Sequence, residues 1–154
     1  MRGNIHTTFG EPADVLIVSD SAIPQPGPGQ VRIRTILSPI HNHDLWTVRG
    51  SYGYKPELPA IGGSEAVGTI DALGADVTGV TVGQRVAVAG VHGAWAEYFV
   101  ADENQLLPTH PDFESHQAAV FFVNPFTAYA LIDEAVRHKS QSVIINAAGS
   151  RLAE

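Results

Sequence analysis

The chain has no cysteine and a single methionine in 154 residues. Without thiols there can be no disulfide, no thiolate metal site and no cysteine nucleophile. Positive charge is scarce too: 9 Lys and Arg stand against 16 Asp and Glu, a net charge of −7. That balance argues against nucleic acid or an anionic membrane as a partner. No apolar run approaches the roughly 18 residues needed to span a bilayer. Residues 1–10 show neither the apolar core of a secretory signal nor an Arg-rich amphipathic presequence. The cytoplasm is therefore the expected compartment. What is present is 44% hydrophobic residues with 15 Gly and 10 Pro, enough for one cored domain, or a domain plus a fragment.

Along the chain, Asp14–Val18 reads as a short strand, and Pro24–Gly29 as a stiff turn. Val31–Ile36 alternates apolar and polar side chains, the mark of a half-buried strand. Asn42 or His43 can cap a short helix running through Val48 and ended by Gly50. Further strands are predicted near Glu65–Asp71, Gln84–Val88 and Ala94–Val100, with turn signals at Gly74, Gly79 and Gly83. Short strands at this spacing predict a mainly β fold, a barrel or a sandwich. After Pro111 the pattern changes. Helical spacing covers Glu114–Phe122 and Pro125–His138, and Pro125 suits a first helical turn. Ser142–Ala147 is a short apolar run of the parallel-strand type, and Gly149-Ser150 turns away from it. The expected organisation is a β domain over residues 1–120, then the first helix and strand of an α/β domain over residues 121–154.

The segment Gly50–Gly68 is the richest in chemistry. It joins an aromatic, Pro/Gly-rich loop to a Gly62-Gly63 turn and then to Glu65 at the head of a strand. Such a loop is costly to order and builds little core, so it suits a site better than a scaffold. Tyr52 and Tyr54 are phenols that stay protonated at neutral pH and can donate a proton. The alternative is a pair of tyrosines half-packed on a surface loop. His41 and His43, with Asp44, could bind a divalent ion weakly or form the solvated entry to a helix. Glu65, if buried, needs partners, for which Arg85 or backbone amides are candidates. Asn124 and Thr127 lie at the start of a helix, where they could bond a polar ligand edge or simply cap the helix. Gly149 and Ser150 follow an apolar strand where a dinucleotide-binding turn would sit.

In order, these stretches resemble the medium-chain dehydrogenase/reductases. The likeness runs from the Pro-Gly-Pro-Gly turn before Val31, through Ser38–Leu45 and Leu58–Gly68, to Val82–Val86 and Gly93–Tyr98. It implies a GroES-like β-barrel catalytic domain followed by a Rossmann domain binding NADPH or NADH. Zinc members place a Cys where this chain has His41 and a His where it has Ser64, which points to the zinc-free branch with no bound metal. Gly50–Gly53, the Pro56–Gly63 run and Val123–Tyr129 resemble the mitochondrial-type 2-enoyl thioester reductases. That resemblance implies a proton donor at Tyr52 and an NADPH contact at Asn124, with Thr127, Gly149 and Ser150 as further cofactor-binding candidates. Arg151 and Ala153 stand where the family's cofactor loop usually bears glycine. The implied partners are an acyl-thioester or other small-molecule substrate, and a second copy in a homodimer of the full-length form. Because the family runs to more than twice this length, the chain is expected to be its N-terminal portion. The rival expectations are a zinc-free quinone or enone oxidoreductase and a truncated, non-enzymatic GroES-like domain.

Overall fold

Alternation in Gln30–Leu37 (β3) sets the centre of the fold, because Val31 and Ile33 turn fully inward while Arg34 turns to solvent. The computed structural model describes residues 1–110, 112–146 and 149. Around β3 an antiparallel sheet forms in the order β7-β3-β5-β6-β8, from Tyr98–Asp102 (β7), Glu65–Leu73 (β5), Arg85–Ala89 (β6) and Leu106–Pro108 (β8). A second antiparallel sheet has the order β2-β1-β4, from Ile17–Asp20, Arg2–His6 and Ala60–Ile61. The two are stitched together by a bridge between Gly3 and Ala96 and by Asn4 N–H to the Trp95 carbonyl at 2.9 Å. Val31, Ile33, Ala66, Ile70, Val86, Val88 and Phe99 fill the core. The mainly β expectation is met.

Helix α2 (Asn42–Arg49) ends at Gly50, whose φ of 73° is the left-handed stop read from the sequence. Its start differs, since the cap is His41 rather than Asn42 or His43, with the His41 N–H donating to Asp44 Oδ2 at 2.9 Å. The strand expected at Asp14–Val18 is displaced. Pro12 opens a helical turn, α1 (Pro12–Val15), and β2 begins only at Ile17, where its register with β1 is set. Likewise β7 starts at Tyr98, because the Ala94 and Trp95 N–H groups are drawn to the Gly63 and Gly62 carbonyls instead of a strand partner. The helix expected over Glu114–Phe122 shrinks to one turn, α3 (Ser115–Ala118). Arg85 holds that segment by donating to the Phe113 carbonyl at 2.6 Å and to Ser115 Oγ at 3.2 Å.

Helix α4 (Val123–Arg137) forms as expected, with Pro125 in its first turn, where the missing N–H is not needed. The apolar run after it does not pair. Among the described residues, 142–146 form no strand, and Ile144 is 96% exposed. A parallel strand takes its hydrogen bonds from neighbours, and no described strand lies alongside to supply them. Ala147, Ser150, Arg151 and Ala153 lie outside the described residues. No helix among the described residues is long and apolar enough to cross a membrane.

Gly68 lies where β5 runs tightly against β3, and a side chain there would strike the Ile33 side chain and the Arg34 carbonyl. Gly68→Ala is expected to cost about 2 kcal/mol through overpacking, read as a lower urea midpoint at unchanged m-value. An unchanged midpoint would show that the two strands can part without penalty.

Candidate active site

The site grows out of the Gly62-Gly63 turn. A Cβ at either glycine would strike the Trp95 ring, and Gly63 has a φ of 92°. Only glycines let Trp95 lie this close, with its indole N–H donating to the Pro39 carbonyl at 2.9 Å. The packed turn fixes the two residues that follow it, Ser64 and Glu65. Beside it, α2 presents His43 and Asp44, and the loop after Gly50 brings Tyr52 and Tyr54 to the same place. Together they enclose a cavity of about 290 Å³ that extends to His92, in the β6–β7 connection, and to Val123 at the start of α4.

The side chains in the cavity form a chain of contacts. The Tyr52 ring stacks on His43 at 5.7 Å between centroids, and His43 Nε2 lies 2.7 Å from Ser64 Oγ. Asp44 is buried, with Oδ1 at 3.6 Å from the same nitrogen. Also lining the cavity, Tyr54 stacks on His92 at 4.2 Å, and burial pushes His92 below the ordinary histidine value, favouring a neutral ring. Tyr52 is 41% exposed, and its hydroxyl has no hydrogen-bond partner among the described residues. The phenol is therefore open to solvent and to a ligand entering the cavity.

Behind this wall His41 stacks on His43 at 5.0 Å and places Nε2 at 2.6 Å from Glu65 Oε2. Glu65 Oε1 accepts from the backbone N–H groups of Phe122 and Val123, each at 2.9 Å. Of the two partners considered for Glu65, the backbone amides are found and Arg85 is not, since Arg85 is engaged at Phe113 and Ser115. The hydrogen bond to Glu65 holds His41 above the ordinary histidine value despite its partial burial, and the charges of Glu65 and Asp44 add to the effect. No group of three or more His, Cys, Asp or Glu suited to hold a metal ion occurs among the described residues.

The cofactor-binding candidates are placed unevenly. Asn124 follows Val123 in the first turn of α4, half-buried, and its carboxamide makes no hydrogen bond to a described residue. Thr127 instead spends its hydroxyl proton on the Val123 carbonyl at 2.6 Å, a back-bond within the helix. Gly149 sits in a turn and is not among the residues lining the cavity; Ser150 lies outside the described residues. Sequence reasoning missed His92. Its signal was the bracket Gly90-Val91-His92-Gly93, in which both glycines have positive φ and Val91 is buried.

Residues 27–112 match the alcohol dehydrogenase GroES-like domain, and the chain belongs to that family, within the medium-chain dehydrogenase/reductases. It is 35% identical over 153 residues to the mitochondrial enoyl-[acyl-carrier-protein] reductase of Homo sapiens, covering 97% of this chain and 41% of that protein. Among solved structures it resembles a putative NADPH:quinone reductase from Mesorhizobium loti, with a TM-score of 0.85 and 31% identity over 99% of this chain and 47% of that one. A mycobacterial protein in complex with NADPH is similar at a TM-score of 0.79 and 31% identity, over 96% of this chain and 43% of that one. The chain thus spans less than half the length of these relatives.

The His41–Glu65 pair has a definite pH signature. A histidine raised on folding adds stability that is fully present below its ordinary value of 6.5 and is lost as pH rises through the raised folded value. Urea midpoints are expected to fall as pH climbs above 6.5, and the fall to flatten in His41→Gln. Equal slopes in the two proteins would contradict the pairing.

Proposed function

We propose that the chain forms the catalytic side of a zinc-free, NADPH-dependent reductase that saturates the C=C bond of a 2-enoyl thioester. In this reading residues 1–120 are the catalytic domain, residues 121–154 open the cofactor-binding domain, and the complete enzyme is a homodimer. The observation that carries it is Tyr52: a phenol with an unengaged hydroxyl, stacked on His43, in a cavity that reaches the start of α4. The likeness to a mitochondrial enoyl-[acyl-carrier-protein] reductase over 97% of the chain supports the substrate class.

The residues present fit the nicotinamide end of the cofactor. Val123 lines the cavity, and Asn124 beside it offers a half-buried carboxamide with no protein partner among the described residues. NADPH, when bound, supplies the hydride that a conjugated thioester accepts at its β-carbon. The charge that develops spreads into an enolate, which hydrogen bonds can stabilise without a Lewis acid. Tyr52 then passes its phenolic proton to the α-carbon, while His43 and Ser64 hold the ring's flank and Tyr54 and His92 line the cavity as well. Zinc is disfavoured by the donor set. Ser64 offers only a neutral hydroxyl, and His41 and Glu65 are bonded to each other behind the cavity.

A second reading, reduction of a quinone or enone, draws support from the two stacked aromatic pairs, which suit a flat ring, and from the quinone reductase likeness. Parallel assays of a crotonyl thioester and a benzoquinone separate the two. In the enzyme carrying this chain, Tyr52→Phe is expected to lower kcat on the thioester by about 10²-fold or more with little change in KM, as general acid loss does. Full retention of rate would remove Tyr52 from the role of donor.

A further inference from the structure

Glu65 does not line the cavity, yet it is 1% exposed and fully hydrogen-bonded. A buried carboxylate at the head of a core strand is expensive unless donors surround it. Here the donors come from two distant parts of the chain. His41 Nε2 reaches Oε2 across 24 positions of sequence, and the N–H groups of Phe122 and Val123 reach Oε1 across 57 and 58.

Those two amides open α4. The first N–H groups of a helix have no acceptor within it, and the helix's positive end faces the carboxylate. In this chain, none of the 15 residues of α4 is buried, so its first-turn contacts matter for where it sits. Glu65 is therefore the polar contact that ties its beginning to the sheet. Val123 enters the cavity wall at that point, and Asn124 is the next residue along.

We propose that Glu65 is a positioning residue: its carboxylate, held by His41, clips the start of α4 to the β domain and sets Asn124 beside the cavity that contains Tyr52. The link from Asn124 to the cofactor rests on the function proposed above, but the clip itself does not. The groups facing the pair are few. Asp44 accepts the His41 backbone N–H through Oδ2, and the His43 ring stacks on His41. From β6 the residue opposite Glu65 is the uncharged Ala89, and the first turn of α4 contains no charged side chain.

Amide hydrogen exchange on this chain, without cofactor or substrate, reads the clip directly. Glu65→Leu removes the acceptor, whereas Glu65→Gln keeps one oxygen for the two amides and offers its NH₂ to a neutral His41. Exchange at Phe122 and Val123 is expected to accelerate by about tenfold or more in Glu65→Leu and by less than about threefold in Glu65→Gln. Intrinsic-rate-corrected protection at these amides falls with rising pH in the wild type and stays level in Glu65→Gln. Protection unchanged in Glu65→Leu overturns the proposal, and so does equal loss in both variants, which would make Glu65 a packing residue. In the enzyme carrying the chain, KM for NADPH is expected to rise about tenfold in Glu65→Leu and to recover in Glu65→Gln. A wild-type enzyme that reduces no thioester would count against the proposed function, and the exchange pattern would still decide the clip.

Discussion

One buried carboxylate ties together three separate parts of this chain. Glu65 belongs to the central strand β5, bonds an imidazole from the approach to α2 and receives two amides from the head of α4. An unpaired charge in that position would be strongly destabilising, so each partner is constrained by the same requirement. The constraint is geometric as well as energetic. His41, bonded to Glu65, stacks on His43 in the cavity wall, and one of the amides on Glu65 belongs to Val123, which also lines the cavity.

The cavity depends on a second constraint, the packing of Trp95 on Gly62 and Gly63. Strand β5 and helix α2 hold Glu65 and His43, while the tyrosines sit on the loop after Gly50. Stacking of Tyr52 on His43 and Tyr54 on His92 keeps that loop against the scaffold without burying it.

Local signals in the sequence were legible and non-local ones were not. Alternation placed β3, and Gly50 placed the end of α2, because each is written in neighbouring residues. Strand β1, with the unpromising sequence Arg-Gly-Asn-Ile-His, owes its existence to pairing with β2 and β4 and carries no local mark. Pro12 shifted the strand expected at Asp14, and the apolar run at 142–146 shows how β character alone does not make a strand. In the site, Tyr52 was visible as a loop phenol between glycines. The His41–Glu65 pairing was not, since a separation of 24 residues leaves no periodicity to read, and Arg85 was the more obvious partner by charge.

A crystal structure of the protein with an unreactive 2-enoyl thioester analogue tests the central claim most directly. The account predicts the thioester in the cavity between Tyr52 and the start of α4, with the Tyr52 oxygen roughly 3 Å from the α-carbon, the reach a proton donor requires. A thioester bound in the apolar groove lined by Val18, Ile36 and Ile40, with Tyr52 turned to solvent, would contradict it.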